Sequence, residues 1–115
     1  MYYIYIVRCR GGSLYTGIAA DIEKRMRQHL SRGAACAKYT RAHPVEALEA
    51  LWHAEDHAAA ARLEALIKTL PHEKKLALIA DPRLLPALFG AHLREAVYTP
   101  MPPVCDCIGA EPVIK

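Results

Sequence analysis

Tyr2-Tyr3-Ile4-Tyr5-Ile6-Val7-Arg8-Cys9-Arg10-Gly11-Gly12-Ser13-Leu14-Tyr15-Thr16-Gly17-Ile18 is the stretch that decides the fold. Residues 2–8 are rich in aromatic and β-branched side chains, the composition of a strand. Tyr3, Tyr5 and Val7 share one face, and Tyr2, Ile4 and Ile6 share the other. Both faces are apolar, so this strand is expected to be covered on both sides. The paired glycines Gly11-Gly12 supply the positive φ that a tight hairpin requires. Leu14 to Ile18 is then the returning strand, and the hairpin sets Tyr5 and Tyr15 on neighbouring strands.

A helix is expected next, with Asp21 as its N-cap and Gly33 as its stop. Ile22, Met26 and Leu30 form its apolar stripe. Arg25 and His29 lie beside that stripe, about 40° apart around the axis. Residues 34–41 read as a loop closed by His43-Pro44, and Val45 to His53 as a third strand. Asp56 caps a second helix running to about Leu70, with Leu63, Ile67 and Leu70 facing the core and Glu64 flanking them. Pro71 breaks it, and His72 to Ala80 forms a short basic third helix. Asp81-Pro82 marks a boundary. The remainder, with Pro86, Pro100, Pro102, Pro103 and Pro112, reads as a short helical piece and an irregular tail. The expected fold is α+β, a small three-stranded antiparallel sheet packed by helices over residues 1–80, with a C-terminal extension over 81–115.

At 115 residues the chain has the length of one domain. A chain this long buries roughly two-thirds of its unfolded surface, enough for a core without disulfides. No apolar run approaches the ~20 residues of a membrane helix, and no basic segment precedes the first apolar stretch as in a signal peptide. Cys9, Cys36, Cys105 and Cys107 match no paired zinc-ligand spacing. Cys105-Asp106-Cys107 has no matching second half, so reduced thiols and a cytoplasmic location are expected. Residues 1–45 hold eight basic side chains against two acidic ones, a net +6, and the remainder sums to −3. A basic half suits a polyanion such as nucleic acid; the plain alternative is a solvated charged face.

Phosphodiester hydrolysis needs a positioned water, a group to take its proton, and positive charge where the phosphorane forms. Tyr5 and Tyr15 are candidates for orienting and activating that water. A phenol with a pKa near 10 is a poor base at pH 7 unless something assists it. The Arg25 fork matches phosphate geometry, His29 can relay a proton, and Glu64 can coordinate Mg²⁺. Taken singly, Tyr5 is a core aromatic, Arg25 and Glu64 are ordinary helix residues, and His29 is a partly buried polar group.

Taken together, Tyr3-Ile4-Tyr5, Tyr15-Thr16-Gly17, Arg25, His29 four residues later and Glu64 on a later helix resemble the signature of the GIY-YIG endonuclease superfamily, in its small stand-alone branch. The resemblance covers residues 2 to about 80. It implies a metal-dependent DNA endonuclease, structure-specific or non-specific, acting in repair or recombination. In that reading Tyr5, aided by Tyr15 or His29, deprotonates the attacking water. Arg25 stabilises the transition state, Glu64 holds a single Mg²⁺ or Mn²⁺, and Gly17 is structural. Lys38-Tyr39-Thr40-Arg41 is similar to a loop of the small members that contacts the nucleic-acid backbone. Lys24, Arg27, Lys38, Tyr39, Arg41, Lys74 and Lys75 are the expected nucleic-acid contacts. The chain departs from the pattern at Tyr3, where the first motif has glycine, and at Ile18, where some members carry a polar residue. It also contains no asparagine, which other branches use late in the domain. The alternatives are a non-catalytic nucleic-acid-binding module of the same fold, or a protein-interaction domain. A monomer or weak homodimer is expected, with no membrane association and room for a further protein partner.

Overall fold

The computed structural model describes residues 1–31, 38–93 and 96–104. The Gly33 stop and Cys105-Asp106-Cys107 lie outside them. The elements run β1 (Tyr2–Cys9), β2 (Leu14–Ala19), α1 (Ile22–Ser31), α2 (Lys38–Ala42), β3 (Val45–Ala54), α3 (His57–Lys68), α4 (His72–Ala80), a 3₁₀ turn (Pro82–Leu84), α5 (Leu85–Phe89), a second 3₁₀ turn (Gly90–Leu93) and β4 (Thr99–Met101). The sheet order is β2-β1-β3-β4, all antiparallel.

The hairpin forms where the glycines dictate. Gly11 and Gly12 sit at φ +91° and +92°, and the Gly12 N–H donates to the Cys9 carbonyl at 2.9 Å. The register pairs Tyr5 with Gly17 and Val7 with Tyr15. β1 is central and covered on both faces. On one side Ile4 and Ile6 join Ala50 and Trp52 of β3, Ala60, Leu63 and Ile67 of α3, and Leu78 of α4. On the other, Tyr5, Val7 and Cys9 join Val45, Leu48 and Leu51 of β3 beneath Met26 of α1. The Asp21 carboxylate accepts from the Lys24 N–H at 3.1 Å, and Asp56 caps α3 by accepting from the Ala59 N–H at 2.8 Å. Among the described residues no single helix is long and apolar enough to cross a membrane.

Three expectations are corrected. The sheet has four strands, not three: β4, within the tail expected to be irregular, pairs Thr99 with His53 and Met101 with Leu51. Three residues with a central proline carry no periodic signal, and an edge position tolerates the missing N–H. Lys38–Ala42 is a helical turn within the expected loop. In α1, Leu30 is exposed while Met26 and His29 are buried. The helix is turned so that an imidazole, rather than a leucine, faces Tyr5.

Candidate functional site

The site is built on the Tyr5–Gly17 pair. Because residue 17 has no side chain, the Tyr5 phenol lies against its backbone. A Cβ placed there would stand 2.7 Å from Tyr5 Cζ and closer still to Oη. From that position Tyr5 Oη lies 2.8 Å from His29 Nε2 and accepts a long contact from Arg25 Nε at 3.4 Å. His29 Nδ1 lies 2.7 Å from Thr40 Oγ1, so both imidazole nitrogens are engaged. Arg25 Nη1 donates to Gln28 Oε1 at 2.9 Å, which steadies the guanidinium. Arg25 and His29 share one helix face through their four-residue spacing.

Burial governs the charges. It pushes the Tyr5 phenol up to about 12; the Arg25 hydrogen bond and charge pull it down, while Tyr15 and Glu64 add smaller upward effects. Burial, then the Arg25 charge, holds His29 down at about 4. At neutral pH the centre therefore contains a protonated phenol beside an uncharged imidazole. Its unprotonated Nε2 can accept the phenol's hydrogen bond; held down at about 4, it is a weak base that takes up a proton only as negative charge develops beside it.

Tyr15 links this centre to the rest of the site. Its ring centroid is 6.5 Å from that of Tyr5 and 5.8 Å from that of His29, and it lies nearly parallel to Tyr39. Two open clefts border the edge strand β2 on either side of Gly17. One, of about 330 Å³, is lined by Ile18, Ala19, Asp21, Lys24, Arg25 and Gln28, among others. The other, of about 240 Å³, is lined by Leu14, Tyr15, Thr16, Tyr39, Lys68 and Lys75. The buried Thr16 hydroxyl has no hydrogen-bond partner among the described residues. Glu64, half-buried on α3, is ion-paired to Lys68 at 3.1 Å.

The structure thus brings Tyr5, Tyr15, Gly17, Arg25, His29, Tyr39, Lys24 and Lys75 to the centre or its two clefts, and Glu64 is close enough to bear on the Tyr5 phenol. Arg27, Lys38, Arg41 and Lys74 are exposed and line neither cleft. Sequence reasoning missed Gln28 and Lys68 as parts of the site, and it placed Thr40 in a nucleic-acid-contacting loop without seeing it as the partner of His29. The Glu64–Lys68 spacing of four was the readable sign for Lys68. The bond from Thr40 to His29 had no such sign, because it depends on where the chain returns to α1. Among the described residues no three metal-ligating side chains converge. A lone carboxylate suits Mg²⁺ or Mn²⁺, which can keep water in most of its coordination positions, and does not suit a closed zinc centre.

Fold and site together define a nuclease-type domain. The chain belongs to the GIY-YIG family: the model of the GIY-YIG catalytic domain matches residues 1–76. UPF0213 proteins are among its relatives. It is 42% identical to the one from Fusobacterium nucleatum over 81 residues, 70% of this chain and 79% of that protein. The one from Xanthomonas axonopodis pv. citri is 45% identical over 83 residues, 71% of this chain and 79% of the relative. The solution NMR structure of a UPF0213 protein from Bacillus halodurans aligns at a TM-score of 0.45 with 38% identity, over 70% of this chain and 84% of that one.

Proposed function

We propose that the protein is a divalent-metal-dependent DNA endonuclease, structure-specific or non-specific, that serves DNA repair or recombination. The observation that carries this reading is the Tyr5 phenol held between Arg25 and an uncharged His29, against Gly17. A phenol pushed up to about 12 keeps its proton at pH 7. It therefore acts as a relay rather than as a standing base. With the imidazole proton on Nδ1 and shared with Thr40, Tyr5 donates to His29 Nε2. As the attacking water gives its proton to Tyr5 Oη, the phenol proton passes to Nε2. The water oxygen bonds to phosphorus, the opposite P–O bond breaks, and the leaving oxygen takes a proton from solvent. Arg25 offers its guanidinium to the charge that develops on the phosphoryl oxygens.

Glu64 would hold Mg²⁺ or Mn²⁺, displacing Lys68 from its carboxylate, and the ion would supply Lewis-acid stabilisation of phosphate charge. Lys24 and Lys75, in the two clefts, are the nearer backbone contacts, with Lys38, Arg41, Lys74 and Arg27 further out.

The test is cleavage of labelled flapped, branched and linear DNA with Mg²⁺ or Mn²⁺ by the wild type, Glu64→Ala and Tyr5→Phe. Wild type should cut, Glu64→Ala should be inactive while still folded and DNA-binding, and Tyr5→Phe should be slower by orders of magnitude. Unchanged cleavage by Tyr5→Phe would refute the relay. Salt-sensitive DNA binding with no cleavage by any of the three would instead establish a binding module of the same fold.

A further inference from the structure

Tyr39, the second residue of α2, and His43, just past its last residue, stand one helical turn apart. Their rings stack with centroids 4.2 Å apart and planes 13° from parallel. Tyr39 is also within 10° of parallel to Tyr15, at 5.8 Å. Three flat rings thus form a short column that begins beside Tyr5 and ends in solvent. Tyr39 is 38% exposed, His43 is exposed, and neither belongs to either hydrophobic core. Core packing therefore accounts for Tyr15 but not for Tyr39 or His43, whose ring Nδ1 lies 3.1 Å from the Tyr39 carbonyl oxygen. Its flank carries Lys68 and Lys75, which share a cleft with Tyr15 and Tyr39; Lys68 is paired to Glu64, so Lys75 is the cation that the flank offers to a ligand.

Parallel rings open to water, with an ammonium group beside them, match the chemistry of one nucleotide: a base face for the rings and a phosphate for Lys75. In a duplex each base is already stacked on its neighbours and offers no free face. An unpaired base does. We propose that the Tyr39–His43 column seats an unpaired base of a DNA single strand, with Lys75 on the adjoining phosphate, so that the substrate taken at this site is a single-stranded segment or flap. This rests on the nuclease reading above for its purpose, but it is testable by binding alone.

The probe is a short labelled oligothymidylate, titrated by anisotropy with the full chain in EDTA so that no cleavage occurs. An abasic sugar-phosphate strand of equal length carries the same charge without bases. The thymidylate should bind roughly 5- to 150-fold more tightly than the abasic strand, the range set by one stacked base. Tyr39→Leu should erase that ratio and Tyr39→Trp should keep it, the second variant guarding against simple loss of fold. Lys75→Gln should lower the salt slope by about one phosphate contact, leaving the ratio in place. Equal binding of the two strands, a ratio untouched by Tyr39→Leu, or blunt duplex bound as tightly as thymidylate would each overturn the proposal. Base-dependent binding by a protein that never cuts DNA with Mg²⁺ would keep the column and remove the nuclease reading. Cleavage without base dependence would do the reverse.

Discussion

A hydroxyl, not a turn, demands glycine at position 17. Gly17 lies in a regular strand pairing with Tyr5, and what forbids a side chain there is the phenol packed against it. Gly17→Ala should therefore cost about 1–3 kcal/mol in denaturant unfolding, the usual range for overpacking. Tyr5→Phe in the same chain should recover part of that loss, because the atom nearest the new methyl is gone. Independent, additive costs would show that the contact is not the cause. His29 ties stability to pH through the same centre. Its folded-state value of about 4 lies below the ordinary 6.5, so between those values the unfolded chain binds the extra proton. The stability due to neutral His29 is whole above pH 6.5 and declines as pH falls toward 4. Below that, the folded protein is protonated too and the decline ends. The full effect is on the order of 3 kcal/mol. It should appear as the pH-dependent difference in unfolding free energy between wild type and His29→Gln; parallel curves for the two proteins would disprove it.

Elements differ in how much of themselves they show in sequence. The β1–β2 hairpin was legible because the glycine pair and the two-sided apolar run each specify one conformation, and the two agree. The order Tyr5, Tyr15, Gly17, Arg25, His29, Glu64 was legible for a different reason, its likeness to a known signature. In α1 the residues were read correctly and its rotation was not. Hydropathy sends Leu30 inward, yet His29 is buried and Leu30 exposed. Burial of the imidazole is acceptable only because Tyr5 and Thr40 engage both nitrogens, and no local rule announces partners that distant. α2, at five residues, is too short for periodicity to show. The start of α3 was plain, and Asp56 gives it a measurable signature: Asp56→Ala should cost about 1 kcal/mol in thermal unfolding through the lost cap bond. Cleavage by that variant at a temperature where it is folded should match wild type. A loss of activity there would mean that α3 also positions Glu64 through its first turn.

For the whole molecule, the described residues after Ala80 contribute to the core. Leu85, Phe89 and Leu93 are buried with Ile4, Ile6 and Trp52, Tyr98 donates from its hydroxyl to the Ala59 carbonyl at 2.7 Å, and β4 closes the sheet beyond β3. The leucines of this stretch were visible in sequence. That they could cover the core was readable too; where they dock was not, because proline-rich chain with short helical turns has no period to extrapolate. Phe89→Ala should destabilise the entire domain by about 3–5 kcal/mol, with one cooperative transition by every probe; separate transitions for the N-terminal part and this segment would show that they fold apart. The C-terminal segment also has an optical witness. The chain contains a single tryptophan, and Trp52 is fully buried with its indole N–H donated to the Pro82 carbonyl at 3.0 Å. Its emission belongs to the seam between sheet and segment, so a red shift will report that seam admitting water, without any label. DNA arriving at β2, two strands away, should leave the colour unchanged.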